Sequence, residues 1–260
     1  MQNPIDQILS LGGGGSRPRR WAQPPDGFAR LPFARLRVCD TASPLGALSV
    51  SNGQACALWL AFVAFVCFVV ASCAAETKTL LFFGDSLTAG LGLDDPATEA
   101  FPARVQKKID AAGLPWRVVN AGLSGETSAG GRRRVDWILR QHVDVFVLEL
   151  GGNDGLRGIP PEATRENLQA IIDRVREKST ATRIVLAGMA APPNMGAEFT
   201  RAFSAIFPEL AEKNRLPLIP FLLEGVGGRP GLNQADGMHP NHDGHAIVAE
   251  TVWAALKPLL

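Results

Sequence analysis

Cysteine is missing from most of this chain: Cys39, Cys56, Cys67 and Cys73 all fall within the first 73 residues, and none follows. A disulfide framework and a zinc-type thiolate spacing are therefore excluded for the part with folded-domain patterning. The compartment must be read from targeting signals instead. Net charge is nearly missing too, since 26 Lys and Arg residues stand against 25 Asp and Glu. Such a balance sets up no long-range field that draws a protein onto a polyanion, which argues against nucleic acid as a partner. Histidine is scarce, with His142, His239, His242 and His245 the only imidazoles available. No internal repeat is visible. With 46% apolar residues among 260, the chain can bury one sizeable core, so one folded domain is expected.

Long strongly apolar runs are absent except from Ala55 to Ala75, which is uncharged throughout and ends in small residues before Glu76. That is the build of an export signal, with cleavage expected near Ala74 or Ala75 and a periplasmic or secreted product. Two alternatives stand beside it. Val70-Ala71-Ser72-Cys73 resembles a lipoprotein box in which Cys73 is acylated, and the run is long enough to remain as a membrane anchor. The nearest upstream basic residue, Arg37, is far away for a signal n-region. Residues 1–54, with their Gly-rich and Arg-rich stretches, read as disordered or as an overlong start of the reading frame. The expected division is thus 1–54, 55–75 and a folded domain over 76–260.

Beyond residue 76, short β-rich apolar runs alternate with longer amphipathic ones, the signature of an α/β domain with a mostly parallel sheet. Strands are expected at Lys78–Phe83, Trp116–Asn120, Asp144–Leu150, Arg183–Ala187 and Leu218–Pro220. Helices are expected at Ala100–Ala112, Thr127–Gln141, Pro161–Lys178, Gly196–Asn214 and His242–Leu256. Five such strands give a central five-stranded sheet between two helical layers. Open sheets of this class bind ligands at the carboxyl ends of their strands.

Ser86 lies there, in Gly84-Asp85-Ser86-Leu87-Thr88-Ala89-Gly90 after the first strand. A serine in a Gly-rich turn is ordinarily a turn former, and the Gly-x-Ser-x-Gly elbow of the α/β-hydrolases is absent. A serine hydroxyl becomes a useful nucleophile only with a base, itself oriented by a carboxylate. Asp236-Gly237-Met238-His239 offers such a pair, with Gly237 permitting the tight turn that lets the two side chains meet. Donors for a developing oxyanion are also needed. Asn120–Ser128, with Gly122 and Gly125, and Gly151-Gly152-Asn153-Asp154 are loops able to supply them after the second and third strands.

The Gly-Asp-Ser-Leu at Ser86, Gly125 in Ser124-Gly125-Glu126-Thr127, the Gly-x-Asn-Asp ending at Asp154 and the Asp-x-x-His ending at His239 resemble, in order, the four blocks of the SGNH (GDSL) hydrolases. The resemblance spans essentially all of residues 78–257. Gly151–Gly158 and Asn233–Asn241 look like the bacterial thioesterase I, lysophospholipase L1 and arylesterase group. What it implies is a three-layer α/β/α sandwich of flavodoxin-like type and a serine ester hydrolase. Ser86 would be nucleophile, His239 base and Asp236 its orienter, with the Ser86 and Gly125 N–H groups and the Asn153 amide forming the oxyanion hole. Acyl and aryl esters, acyl-CoA and lysophospholipids are the implied substrates, through an acyl-enzyme on Ser86. An envelope-tethered lipid binder without catalysis and an acyltransferase sharing that acyl-enzyme are the alternatives.

No cofactor is expected, and no metal. His242 and His245 could share a helix face, but His239 precedes Pro240 and no further ligand is evident. His242, Asp243 and His245 are expected on the solvent side of the last helix, and His142 as exposed or structural. Leu91, Leu93, residues 191–195 and residues 221–226 are candidates for an acyl pocket or for packing on the sheet. Arg132-Arg133-Arg134 is expected on a solvated helix face, with lipid head groups as the alternative contact. Arg157 is the better candidate for an anionic substrate. A monomer acting on a small-molecule substrate is expected, with any membrane association confined to residues 55–75.

Overall fold

The computed structural model describes residues 76–260; the expectations for residues 1–54 and 55–75 lie outside them. The strands are β1 (Lys78–Gly84), β2 (Trp116–Asn120), β3 (Val145–Glu149), β4 (Arg183–Ala187) and β5 (Leu218–Ile219). They form one sheet in the order β2-β1-β3-β4-β5, and every pairing is parallel. Full parallelism explains the apolar runs Leu80–Phe83 of β1 and Val145–Leu148 of β3, which are covered on both faces. The expected α/β/α sandwich is what forms. β5 stops one residue before Pro220, which has no N–H to give a ladder.

The longer helices are α3 (Phe101–Ala111), α4 (Ser128–Ile138), α6 (Pro161–Lys178), α7 (Ala197–Asn214) and α8 (His242–Leu256). Adjacent residues of a strand face opposite ways. Phe82 meets Phe101 of α3 edge-on at 5.4 Å, whereas the Phe83 ring lies against Gly131 of α4. Helices α3 and α8 thus share one face, and α4, α6 and α7 pack in series on the other. Caps set the starts. Thr127 Oγ1 accepts from Gly130 N at 3.2 Å, and Asn241 Oδ1 accepts from Asp243 N and Gly244 N. Helix α7 runs through Pro208, which the sequence pattern alone did not forbid.

Three short helices were not expected: α1 (Ser86–Ala89), α2 (Pro96–Glu99) and α5 (Gly152–Leu156). Two of them begin at the loops flagged for chemistry. Each is too brief to show an amphipathic period, which is why the sequence reads as loop there.

Candidate active site

Ser86 is the first residue of α1, immediately beyond β1, and is buried at 7% exposure. Asp85 caps this helix, its Oδ1 accepting from Leu87 N at 3.0 Å. Capping turns the chain sharply out of the sheet. Gly90, left-handed at φ 78°, ends the helix after one turn.

His239 arrives from the other end of the chain. Its Nε2 lies 2.8 Å from Ser86 Oγ, and its Nδ1 lies 2.6 Å from Asp236 Oδ2. Asp236 Oδ1 accepts from the backbone N–H groups of Met238 (2.9 Å) and His239 (3.0 Å), closing a local turn. Gly237 makes this turn at φ 71°, a conformation costly for other residues. An isolated antiparallel bridge from Asn233 to Pro240 and the Gln234 N–H donating to His239 O (2.8 Å) hold the loop. Partial burial pushes the Asp236 carboxyl upward, but the hydrogen bonds from His239 and Met238 outweigh it and hold the group at about 2. The carboxylate is therefore charged at any ordinary pH, and a proton on Nδ1 leaves Nε2 facing the hydroxyl as an acceptor.

Gly125 sits on the loop before α4 at φ 80°. Neither its N–H nor that of Ser86 has a protein acceptor among the described residues. Asn153 lies in α5. Its Nδ2 already donates to Asp85 Oδ2 and to Glu126 O, both at 3.1 Å. These two bonds tie the Ser86 turn, the Gly125 loop and α5 into one unit.

Several residues that the sequence singled out take other places. His245 is not on the solvent side: it is buried at 1% exposure, stacks on Phe101, and its Nδ1 accepts from Phe101 N at 3.2 Å. Burial drives its pKa down to about 4, helped by the positive charge of Arg104, so the ring stays neutral. His242 and Asp243 are exposed as expected, and so is His142. Arg134 leaves the solvated face, forming an ion pair with Glu126, donating to Ala121 O (2.9 Å) and covering the Phe83 ring at 4.3 Å. Arg132 and Arg133 stay exposed. Arg157 Nη2 donates to Gly125 O at 3.0 Å, so it braces the loop that carries Gly125. Among the acyl-pocket candidates, Ala191, Leu222 and Val226 are buried in the core, whereas Leu91 is 46% exposed. A cleft of about 480 Å³ lies beside the Gly125 loop, against residues 123–127, Arg133 and Arg157, and no triad residue lines it.

Sequence reasoning missed three acids. Asp154, fully buried, accepts from Ser128 N (2.8 Å), Ser128 Oγ (2.5 Å) and Thr164 Oγ1 (3.3 Å), fastening the start of α4 to α5. Asp85 is squeezed by burial to about 6, only partly relieved by its bonds from Leu87 and Asn153. Glu149, the third, stands at the end of β3 and accepts from Asp85 N at 3.1 Å. Their neighbours in the motifs were the available signal.

A nucleophile, base and acid connected in line is a geometry for acyl transfer. The family model for GDSL-like lipase/acylhydrolases matches residues 82–247, a span that contains all of these groups. The chain belongs to the GDSL-like lipase/acylhydrolase family. It is 42% identical over 187 residues to esterase TesA of Pseudomonas aeruginosa, covering 72% of this chain and 91% of that protein. It is 41% identical over 188 residues to thioesterase 1/protease 1/lysophospholipase L1 of Escherichia coli, covering 72% and 87%. The crystal structure of AlinE4, an SGNH-hydrolase family esterase, superposes with a TM-score of 0.59 at 41% identity, over 72% of this chain and 98% of that one. This GDSL-like hydrolase is a carboxylic ester hydrolase with the α/β/α fold of its solved relatives.

Proposed function

We propose that this hydrolase cleaves acyl and aryl esters and thioesters through an acyl-enzyme on Ser86. The observation that carries the reading is the unbroken line from Ser86 Oγ through His239 to Asp236, at 2.8 and 2.6 Å. His239 Nε2 takes the Ser86 proton as Oγ attacks the acyl carbon, and the carbonyl oxygen becomes an oxyanion. The Ser86 and Gly125 N–H groups stabilise that charge, together with Asn153 Nδ2 once it shares a hydrogen now given to Asp85 or Glu126. Collapse expels the alcohol or thiol, which leaves with the proton from Nε2. Water then attacks the acyl-Ser86 carbonyl, His239 takes its proton, and the acid departs as Ser86 regains its hydrogen.

The names of the similar proteins, esterase and thioesterase/lysophospholipase, support this substrate class. The same proposal includes export, on the strength of the apolar run 55–75, with Cys73 lipidation or an uncleaved anchor as the other outcomes of an intact-mass measurement. A serine-reactive fluorophosphonate is expected to label Ser86 and stop turnover, and Ser86→Ala to lose both. Full turnover of p-nitrophenyl esters by Ser86→Ala would refute the assignment. Rates on p-nitrophenyl esters of graded chain length, acyl-CoA and lysophospholipid then rank the substrates.

A further inference from the structure

A fully buried acid stands under the turn that presents Ser86. Glu149 ends β3 directly beside Gly84 of β1, and it has no exposure to solvent. One of its oxygens, Oε2, accepts from Asp85 N at 3.1 Å and from Thr88 Oγ1 at 2.5 Å. Those donors lie on either side of Ser86 in the chain, so a single oxygen clasps the turn from below. Space for the carboxyl exists because residue 84 has no side chain. A Cβ there would stand 2.2 Å from Glu149 Oε2 and 2.2 Å from Thr88 Oγ1.

The clasp continues upward. Asp85, held at its N–H by Glu149, uses Oδ1 to cap α1 and Oδ2 to receive Asn153 Nδ2 at 3.1 Å. A chain of contacts therefore runs from the bottom of the turn to the side-chain amide expected to meet the oxyanion. The second oxygen of Glu149, Oε1, is buried and has no hydrogen-bond partner among the described residues.

We propose that Glu149 is a positioning residue for the hydrolytic reaction, fixing the Asp85–Thr88 turn so that Ser86 Oγ meets His239 and the Ser86 N–H meets the oxyanion. This rests on Ser86 being the nucleophile. Burial, followed by the nearby Asp85 carboxyl, drives the Glu149 pKa well above the ordinary carboxylate range, which favours the neutral acid. Oε2 is occupied as a double acceptor, which leaves Oε1 to carry the proton. A neutral acid in this role can be imitated by an amide of the same shape. That separates it from a role that needs charge, and a shape-filling leucine separates it from one that needs only volume.

The test compares the wild type with E149L, E149Q, T88V and T88S for melting temperature, the rate of fluorophosphonate labelling at Ser86, and kcat and KM on a p-nitrophenyl ester. E149L is expected to slow labelling and kcat by about 10- to 100-fold with KM little changed, since a misplaced nucleophile loses rate rather than ground-state binding. E149Q is expected to recover most of that loss. T88V is expected to slow labelling by about threefold to tenfold, with T88S restoring it, and this pair keeps the test alive if E149L does not fold. Labelling of E149L within twofold of the wild type, E149Q as slow as E149L, or T88V equal to the wild type would each overturn the proposal. A wild type that does not label at Ser86 overturns this and the nucleophile assignment together, whereas a labelled wild type matched by E149L overturns this one alone.

Discussion

Replacing Asp236 by Asn tests how much the carboxylate contributes to making His239 a base. Proton transfer from Ser86 creates an imidazolium beside Asp236, whose Oδ2 is 2.6 Å from Nδ1. Two unit charges about 4 Å apart attract by about 4 kcal/mol at an effective dielectric of about 20, and each ~1.4 kcal/mol is tenfold in rate. Complete loss of that attraction would cost about three orders of magnitude. The Asp236 side chain is 38% exposed, so water replaces part of what is removed. A second effect acts in the other direction. Oδ1 is committed to the Met238 and His239 N–H groups, so an Asn that keeps those bonds turns its NH₂ toward Nδ1. That favours the tautomer with hydrogen on Nε2, which cannot accept the Ser86 proton. We expect D236N to lower kcat/KM for a p-nitrophenyl ester by about 10²- to 10³-fold with little change in KM or melting temperature. Because the native carboxyl is held at about 2, the deficit should be uniform over the ordinary assay range. A D236N enzyme within about threefold of the wild type would refute this account of the base.

Gly125→Ala meets no obstacle nearer than Arg157 Nη2 at 3.8 Å, so its cost is the left-handed backbone, about 1–2 kcal/mol. Alanine keeps the N–H but is expected to relieve the strain by turning the peptide away from the oxyanion, so a fall in kcat of tenfold or more should accompany the drop in melting temperature; an unchanged kcat would refute that reorientation. His245→Leu strands the Phe101 N–H in the core and should cost about 1–3 kcal/mol in urea unfolding without altering KM; a neutral result would contradict that hydrogen bond. The buried pair Asp85 and His245 makes opposite contributions to stability against pH. His245, lowered from 6.5 to about 4, costs stability as pH falls through that window, whereas Asp85, raised from 3.8 to about 6, costs stability as pH rises through nearly the same one. Each amounts to roughly 3 kcal/mol, so these two contributions largely cancel between about pH 4 and 6, while Glu149, also raised, adds a loss of stability as pH rises. His245→Gln should expose the Asp85 arm as a protein more stable at pH 4 than at pH 7, and an unchanged profile would refute the compensation.

The strands and the order of the loops were legible because buried parallel strands spell apolar runs, and loops with special backbone spell Gly, Asn and Asp. Ser86 and His239 were legible for the same reason: each stands next to a turn that only certain residues can make. His245 was not. Its helix is apolar over most of its circumference, so no polar face in the sequence marks which residues look outward, and packing against Phe101 decides it. Glu149 was hidden in the run Val145–Glu149, where a terminal acid looks like the strand reaching solvent. Its burial depends on the register that sets it against Gly84, and register is a property of two strands rather than one. Arg134 shows the same limit, since three consecutive arginines on a helix must point three ways and only tertiary structure says which one turns in.

The turn from Asp236 to His239 closes on itself through three hydrogen bonds, while a single bond connects it to Ser86, 153 positions away. The base and the acid that orients it therefore travel as one rigid cartridge. The loop between Asn233 and Pro240 is tied down separately, by Gln234 Nε2 donating to Leu91 O and Asn233 Nδ2 donating to Val226 O. The fold elsewhere in the chain therefore has only to bring Ser86 up to a base whose tautomer is set within four consecutive residues.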